Sequence, residues 1–151
     1  MKKGAFEAVT YGKKTADLLG TQCVALVLGS NVSGADELGR YGASKVLHVA
    51  DAALNHLDSQ VYAGVIANVA KQQGASVVIL SHTSTGKSVA GAASVLLNAG
   101  LVSGANSLPV VDGSQLIVKK PVFSGKAYAE IALTGAVKVI SLMGNALKPE
   151  A

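Results

Sequence analysis

Val77-Val-Ile-Leu-Ser-His-Thr-Ser-Thr-Gly-Lys-Ser88, running on into Val89 to Asn98, is the stretch whose reading decides the fold. A short apolar run rich in β-branched residues breaks into a Ser/Thr/Gly turn and then into a helix-period pattern. A strand therefore hands over to a helix N-terminus crowded with hydroxyls and backbone N–H donors, the usual place for an anion site in an α/β protein. The turn also looks like a phosphate-binding P-loop. That pattern needs a glycine five residues before Gly86 so that the backbone can curl around a phosphate, and the position holds Ser81. What remains is Gly86-Lys87-Ser88 at a helix start. Ser84, Thr85, Gly86 and Lys87 are the candidates for contacting a nucleotide phosphate, against the plainer role of Ser and Thr as helix caps.

Outward from this unit, helix and strand patterns alternate. Toward the N-terminus, Ala5, Val9, Gly12, Ala16 and Leu19 fall on one mostly small helical face, and Gly20 ends the helix. Cys23 to Leu28 reads as a buried strand, Ala35 to Tyr41 as a short helical turn, and Lys45 to Val49 as a second strand. Asp58 or Ser59 can cap a helix with the stripe Tyr62, Val65, Ile66 and Val69, closed at Gln73-Gly74. Val77 to Leu80 is the third strand, and the next helix carries the stripe Val89, Ala92, Ala93 and Leu96. Such alternation predicts a parallel sheet covered on both faces.

After Gly100 the pattern changes. Leu116 to Phe123, Lys126 to Thr134 and Val137 to Leu142 are strand-like, joined by turns at Asp112-Gly113, Ser124-Gly125 and Thr134-Gly135. These short intervals predict antiparallel strands added to the parallel sheet. The expected fold class is three-layer α/β/α, a mainly parallel sheet plus a small antiparallel sheet from the C-terminal third, in one domain over residues 1–151.

Composition narrows the function. Half of the 151 residues are hydrophobic, 15% are charged, there is no Trp, and the net charge of +4 is too diffuse for a nucleic-acid surface. No apolar run approaches the roughly 20 residues that span a bilayer, so neither nucleic acid nor membrane insertion is expected. Cys23 is the only cysteine, which leaves no intrachain disulfide and no thiolate-rich metal site. Its place beside an apolar run suits plain packing. His48, His56 and His82 lack metal-ligand spacing, and no nucleophile elbow or dinucleotide fingerprint is present, so no catalytic and no metal residue is assigned. The tandem acids Asp36 and Glu37 suit a solvated face. Lys119, Lys120 and Lys126 suit a sheet edge protected against strand addition.

Five segments taken together resemble the N-terminal domain of the electron transfer flavoprotein α subunit. They are Phe6-Glu-Ala-Val-Thr-Tyr-Gly, Tyr41-Gly-Ala-Ser-Lys-Val, Ser81-His-Thr-Ser-Thr-Gly-Lys-Ser, Gly100-Leu-Val-Ser-Gly-Ala and Lys120-Pro-Val-Phe-Ser-Gly-Lys-Ala. The resemblance covers nearly the whole chain in order. It implies an adenine-nucleotide α-hydrolase-like fold and a scaffold role against which a β subunit packs, within a heterodimer that passes electrons from flavin dehydrogenases to a quinone reductase. It places FAD in a C-terminal domain beyond residue 151, with no flavin ligand and no catalysis expected of this chain alone. In family relatives the Ser81 to Ser88 turn corresponds to a nucleotide loop, so a stand-alone adenine-nucleotide-binding module is the alternative function. Two departures stand out: members usually begin with an apolar strand ahead of the first helix, and after the last strand they tend to show Arg-Pro and an aromatic, where this chain has Met143-Gly-Asn-Ala-Leu. The expected location is the bacterial cytoplasm, or the mitochondrial matrix in a eukaryote.

Overall fold

The first helix, α1 (Lys3–Leu19), opens a computed structural model that describes residues 3–28, 34–49, 58–81, 84–113, 115–122, 127–144 and 148–150. Gly20, at φ 68, closes α1, and Thr21 N–H donates to the carbonyl of Ala16 across the turn. The chain then runs through β1 (Val24–Leu28), a 3-10 helix (Ala35–Tyr41), β2 (Lys45–Val49), α2 (Ser59–Gln73), β3 (Val77–Ser81) and α3 (Ser84–Leu96). The last third is all strand: β4 (Gly100–Ala105), β5 (Val110–Asp112), β6 (Gln115–Val122), β7 (Ala127–Leu133) and β8 (Lys138–Leu142).

The α/β fold class, a parallel sheet with a separate small antiparallel one, is borne out. The parallel strands come as two pieces. β1 pairs with β2, from Val24 opposite Lys45 to Leu28 opposite Val49. A three-stranded piece has the order β3-β8-β4, with Val77 and Gly100 both opposite Lys138. β5, β6 and β7 form the antiparallel sheet.

Two expectations about the last third are corrected. Val137 to Leu142 is not an antiparallel addition: as β8 it is the central strand of the parallel piece, and all five of its residues are buried. An unbroken buried run is the mark of a strand covered on both faces. Of its two polar members, Lys138 donates its ammonium to the Gly135 carbonyl at 2.6 Å, and Ser141 accepts the N–H of Gly104 at 2.9 Å, where β4 bulges and Gly104 takes φ 88. β4 itself went unread because Gly and Ser hide its period. The lysine edge is corrected too. β6 pairs with β5 on one side and β7 on the other, the Lys119 carbonyl accepts Asn106 N–H, and the Lys119 ammonium lies 4.0 Å from the Glu130 carboxylate across the pair. Lys126 falls outside the described residues.

Both helical stripes sit differently from their sequence reading. α2 buries Ala63, Ile66, Ala67 and Ala70, and α3 buries Val89, Ala90, Ala93 and Ser94, with Leu96 exposed and Leu97, just past its end, buried. Small residues face inward because α2 and α3 also pack on each other, which needs close backbone approach. α1 keeps only part of its predicted face: Val9 and Ala16 are buried and Ala5 and Gly12 half-buried, but Leu19 is exposed, and Glu7, Thr10, Tyr11 and Thr15 are buried as well because the helix also meets the antiparallel side. Val9 packs with Ala25 and Val27 of β1, and Tyr11 packs with Val102, Leu116 and Ile140 where the antiparallel sheet meets the parallel one.

Candidate nucleotide loop and its surroundings

Parallel strands end on one side, so Leu28, Ser81, Leu142 and Ala105 mark a common C-terminal edge, the edge at which open α/β sheets place ligands. The candidate residues lie there. Ser84 to Lys87 form the first turn of α3, a turn without an acidic residue, with Gly86 half-buried and Lys87 exposed. The structure thus places the backbone of Ser84, Thr85, Gly86 and Lys87 at the positive end of a helix dipole. The side chains of Ser84 and Thr85 fall outside the described residues, as do His82, Thr83, Asp51 and His56.

Ser81 has a structural task. Its Oγ donates to the carbonyl of Gly4 at 3.0 Å, tying the end of β3 to the first turn of α1. The neighbouring helix start, that of α2, is closed by its own cap: the Asp58 carboxylate accepts from Gln60 N–H at 3.0 Å and Val61 N–H at 3.3 Å. Of the two possible caps read from the sequence, Asp58 is the one used.

Beneath this edge lies a cavity of about 650 Å³ between β1 and β3, roofed by α1 and floored by α2 and α3. Gly86 and Ser81 line its upper end. Its described lining is mainly apolar, with Thr15, Thr21, Gln22, Gln73, Ser76 and Ser81 as polar members, and includes no Lys, Arg or His. Nothing in the sequence signals the cavity, because it arises from two strands that are far apart in the chain.

Cys23 is half-buried beside the cavity, its Sγ 3.9 Å from the Val9 carbonyl. Burial pushes its thiol up; the Lys13 ammonium pulls it down and the Asp17 carboxylate adds to the rise. A thiol so placed is a poor nucleophile near neutral pH. His48 is exposed on β2 and Glu37 is exposed on the 3-10 helix. Among the described residues no three His, Cys, Asp or Glu side chains gather as metal ligands, and no described helix is long and apolar enough to cross a membrane.

The recurring sequence segments do mechanical work. Phe6 stacks on Tyr41 with ring centroids 4.4 Å apart and 28° between planes. Tyr11, fully buried, donates its hydroxyl to the Ser107 carbonyl at 2.9 Å, joining α1 to the chain beyond β4. Gly42 sits at φ 122 against the Lys13 side chain.

Comparison with known proteins follows the same line. Protein FixB of Clostridium saccharobutylicum is 32% identical over 133 residues, which is 87% of this chain and 40% of that protein. The electron transfer flavoprotein subunit alpha of Bacillus subtilis is 29% identical over 146 residues, 96% of this chain and 44% of that one. A lactate dehydrogenase (NAD(+),ferredoxin) subunit, LctC, of Acetobacterium woodii is 28% identical over 127 residues, 83% of this chain and 30% of its own. The chain therefore spans less than half the length of these relatives. The profile of the electron transfer flavoprotein domain matches residues 1–151, and with it the α-subunit resemblance of the sequence is borne out: the chain belongs to the electron transfer flavoprotein domain family.

Proposed function

We propose that residues 1–151 are the scaffold domain of an α-type electron transfer flavoprotein subunit, non-catalytic alone, which supports a heterodimer carrying electrons from flavin dehydrogenases to a quinone reductase. The single observation behind this reading is the family match over the whole chain, joined to relatives more than twice its length. In this reading the flavin is held by protein outside residues 1–151. A β-type subunit is the partner, and the bacterial cytoplasm, or the matrix in a eukaryote, is the setting.

The test is reconstitution. The chain purified with added FAD should be colourless, whereas co-expression with a β-type subunit and the remainder of an α subunit should give a yellow complex. Stoichiometric flavin on the chain alone would overturn the scaffold assignment.

One observation favours a second reading, an adenine-nucleotide-binding module: the Ser84 to Lys87 turn opens α3 at the ligand edge of the sheet. Calorimetric titration with ATP and with AMP decides it, and absence of heat at millimolar ligand removes it.

A further inference from the structure

β4 bonds to both sheets. Gly100 to Ser103 lie opposite Lys138 to Ser141 of β8, and Ala105 then lies opposite Leu142, so Gly104 is one residue more than its partner strand supplies. Beyond it the chain changes neighbours. The Ala105 carbonyl still accepts Met143 N–H at 2.8 Å, but Asn106 N–H donates to the Lys119 carbonyl of β6 at 3.3 Å, and the Ser107 carbonyl accepts the Tyr11 hydroxyl at 2.9 Å.

The extra residue decides which side chains enter the core. Along a regular strand, successive side chains take opposite faces. β8 obeys this: Val139 packs in the cluster under α2 and α3, whereas Ile140 and Leu142 pack with Tyr11, Leu116 and Val118 between the two sheets. β4 starts the same way, with Leu101 on the helix side and Val102 on the Tyr11 side. Yet Ala105, three positions beyond Val102 and fully buried, is on the Tyr11 side as well. Unbroken alternation would send Gly104 and Asn106 there instead, and an amide side chain would enter an apolar cluster. The bulge brings Ala105 in and frees Asn106 N–H for β6.

A bulge takes one backbone N–H out of the ladder, and here the site is buried, so that group needs another acceptor. Ser141 supplies it. Its hydroxyl, fully buried in the central strand, accepts Gly104 N–H at 2.9 Å. Gly104 itself takes φ 88, a conformation in which a side chain is strained.

We infer that Gly104 and Ser141 form a register lock, the device that fixes the antiparallel sheet and α1 against the parallel strands. The hydroxyl holds β4 in the bulged register. Without it β4 exchanges between bulged and straight pairing, and the straight state gives up the Asn106 bond to β6 and the Ser107 bond to Tyr11 together. The lock is a property of the fold and holds whichever ligand or partner the domain serves.

A double-mutant cycle tests the pairing of the two residues. Deletion of Gly104 straightens the ladder yet keeps Ala105 opposite Leu142, so the hydroxyl loses its task. Ser141→Ala should lower the folding equilibrium constant of the intact chain about 10- to 100-fold, through the lost bond and the N–H left buried, but that of the Gly104-deleted chain by less than about 3-fold. Equal losses in the two overturn the inference. Amide exchange is the second readout, and it decides alone should the deleted chain not fold. In Ser141→Ala the Asn106 amide should quicken at least about 10-fold more than the Val102 and Ile140 amides, and Ser141→Thr should restore it. Uniform quickening of all three, the mark of general destabilisation, overturns the inference, as does an Asn106 amide indifferent to Ser141. Should the chain not fold alone, the same exchange is read in the reconstituted complex.

Discussion

Ser81 Oγ donates to the backbone carbonyl of Gly4 at 3.0 Å, across 77 positions of sequence, and pins the start of α1 over the end of β3. One hydroxyl in the suspected phosphate loop is thereby spent on holding two elements together. Ser81→Ala should cost about 1 kcal/mol, the net worth of an ordinary intramolecular hydrogen bond. Urea denaturation measures it, and an unchanged midpoint would refute the structural role.

Tyr11 links stability to alkaline pH. Burial raises its phenol above the ordinary value of 10.0, so the folded state holds a proton that the unfolded chain releases first. With fewer protons on the unfolded state, stability falls as pH climbs above 10 and is fully retained below it. Tyr11→Phe also removes the bond to the Ser107 carbonyl, at a cost of about 1–1.5 kcal/mol near neutral pH. The stability gap between the native chain and Tyr11→Phe should narrow between about pH 8 and pH 11. An equal gap at both would show that Tyr11 does not carry the effect.

Gly42 and Gly20 separate two costs of a side chain at positive φ. At Gly42 the conformation is φ 122 and an added Cβ would lie 2.5 Å from Lys13 Cβ, so Gly42→Ala should cost about 1–3 kcal/mol from strain, plus displacement of Lys13. Gly20, at φ 68 with nothing near its missing Cβ, should lose only about 1 kcal/mol on change to Ala. Thermal unfolding of both variants gives the order, and Gly20→Ala proving the worse would contradict it.

Asp58 caps α2 through its carboxylate, accepting from two backbone N–H groups. Asp58→Ala should lose about 1 kcal/mol and Asp58→Asn much less, because the amide oxygen can accept the same bonds. Equal losses in the two variants would point to charge rather than capping.

Much of the fold is legible in local residues. Gly20 and Gly74 mark helix ends because each sits at positive φ just past its helix, and Asp58 marks a start because a short carboxylate reaches its own N–H groups. The failures have one source. Leu96 rather than Leu97 looked inward, and β8 looked like a hairpin strand, because burial was set by neighbours remote in sequence: α2 against α3, and β3 and β4 on either side of β8. At the candidate site, the Ser84 to Lys87 turn was legible as a helix start, but the tie from Ser81 to Gly4 and the cavity beneath were not.

The sequence by itself determined the alternation of helix and strand, the helix caps and the family, since these rest on local period, short-range hydrogen bonds and ordered segments. Only the tertiary structure decided that the last strand lies at the centre of the parallel piece, and that a cavity opens between β1 and β3. Strand pairing joins residues that no local pattern connects, and a gap between strands is a property of their placement alone.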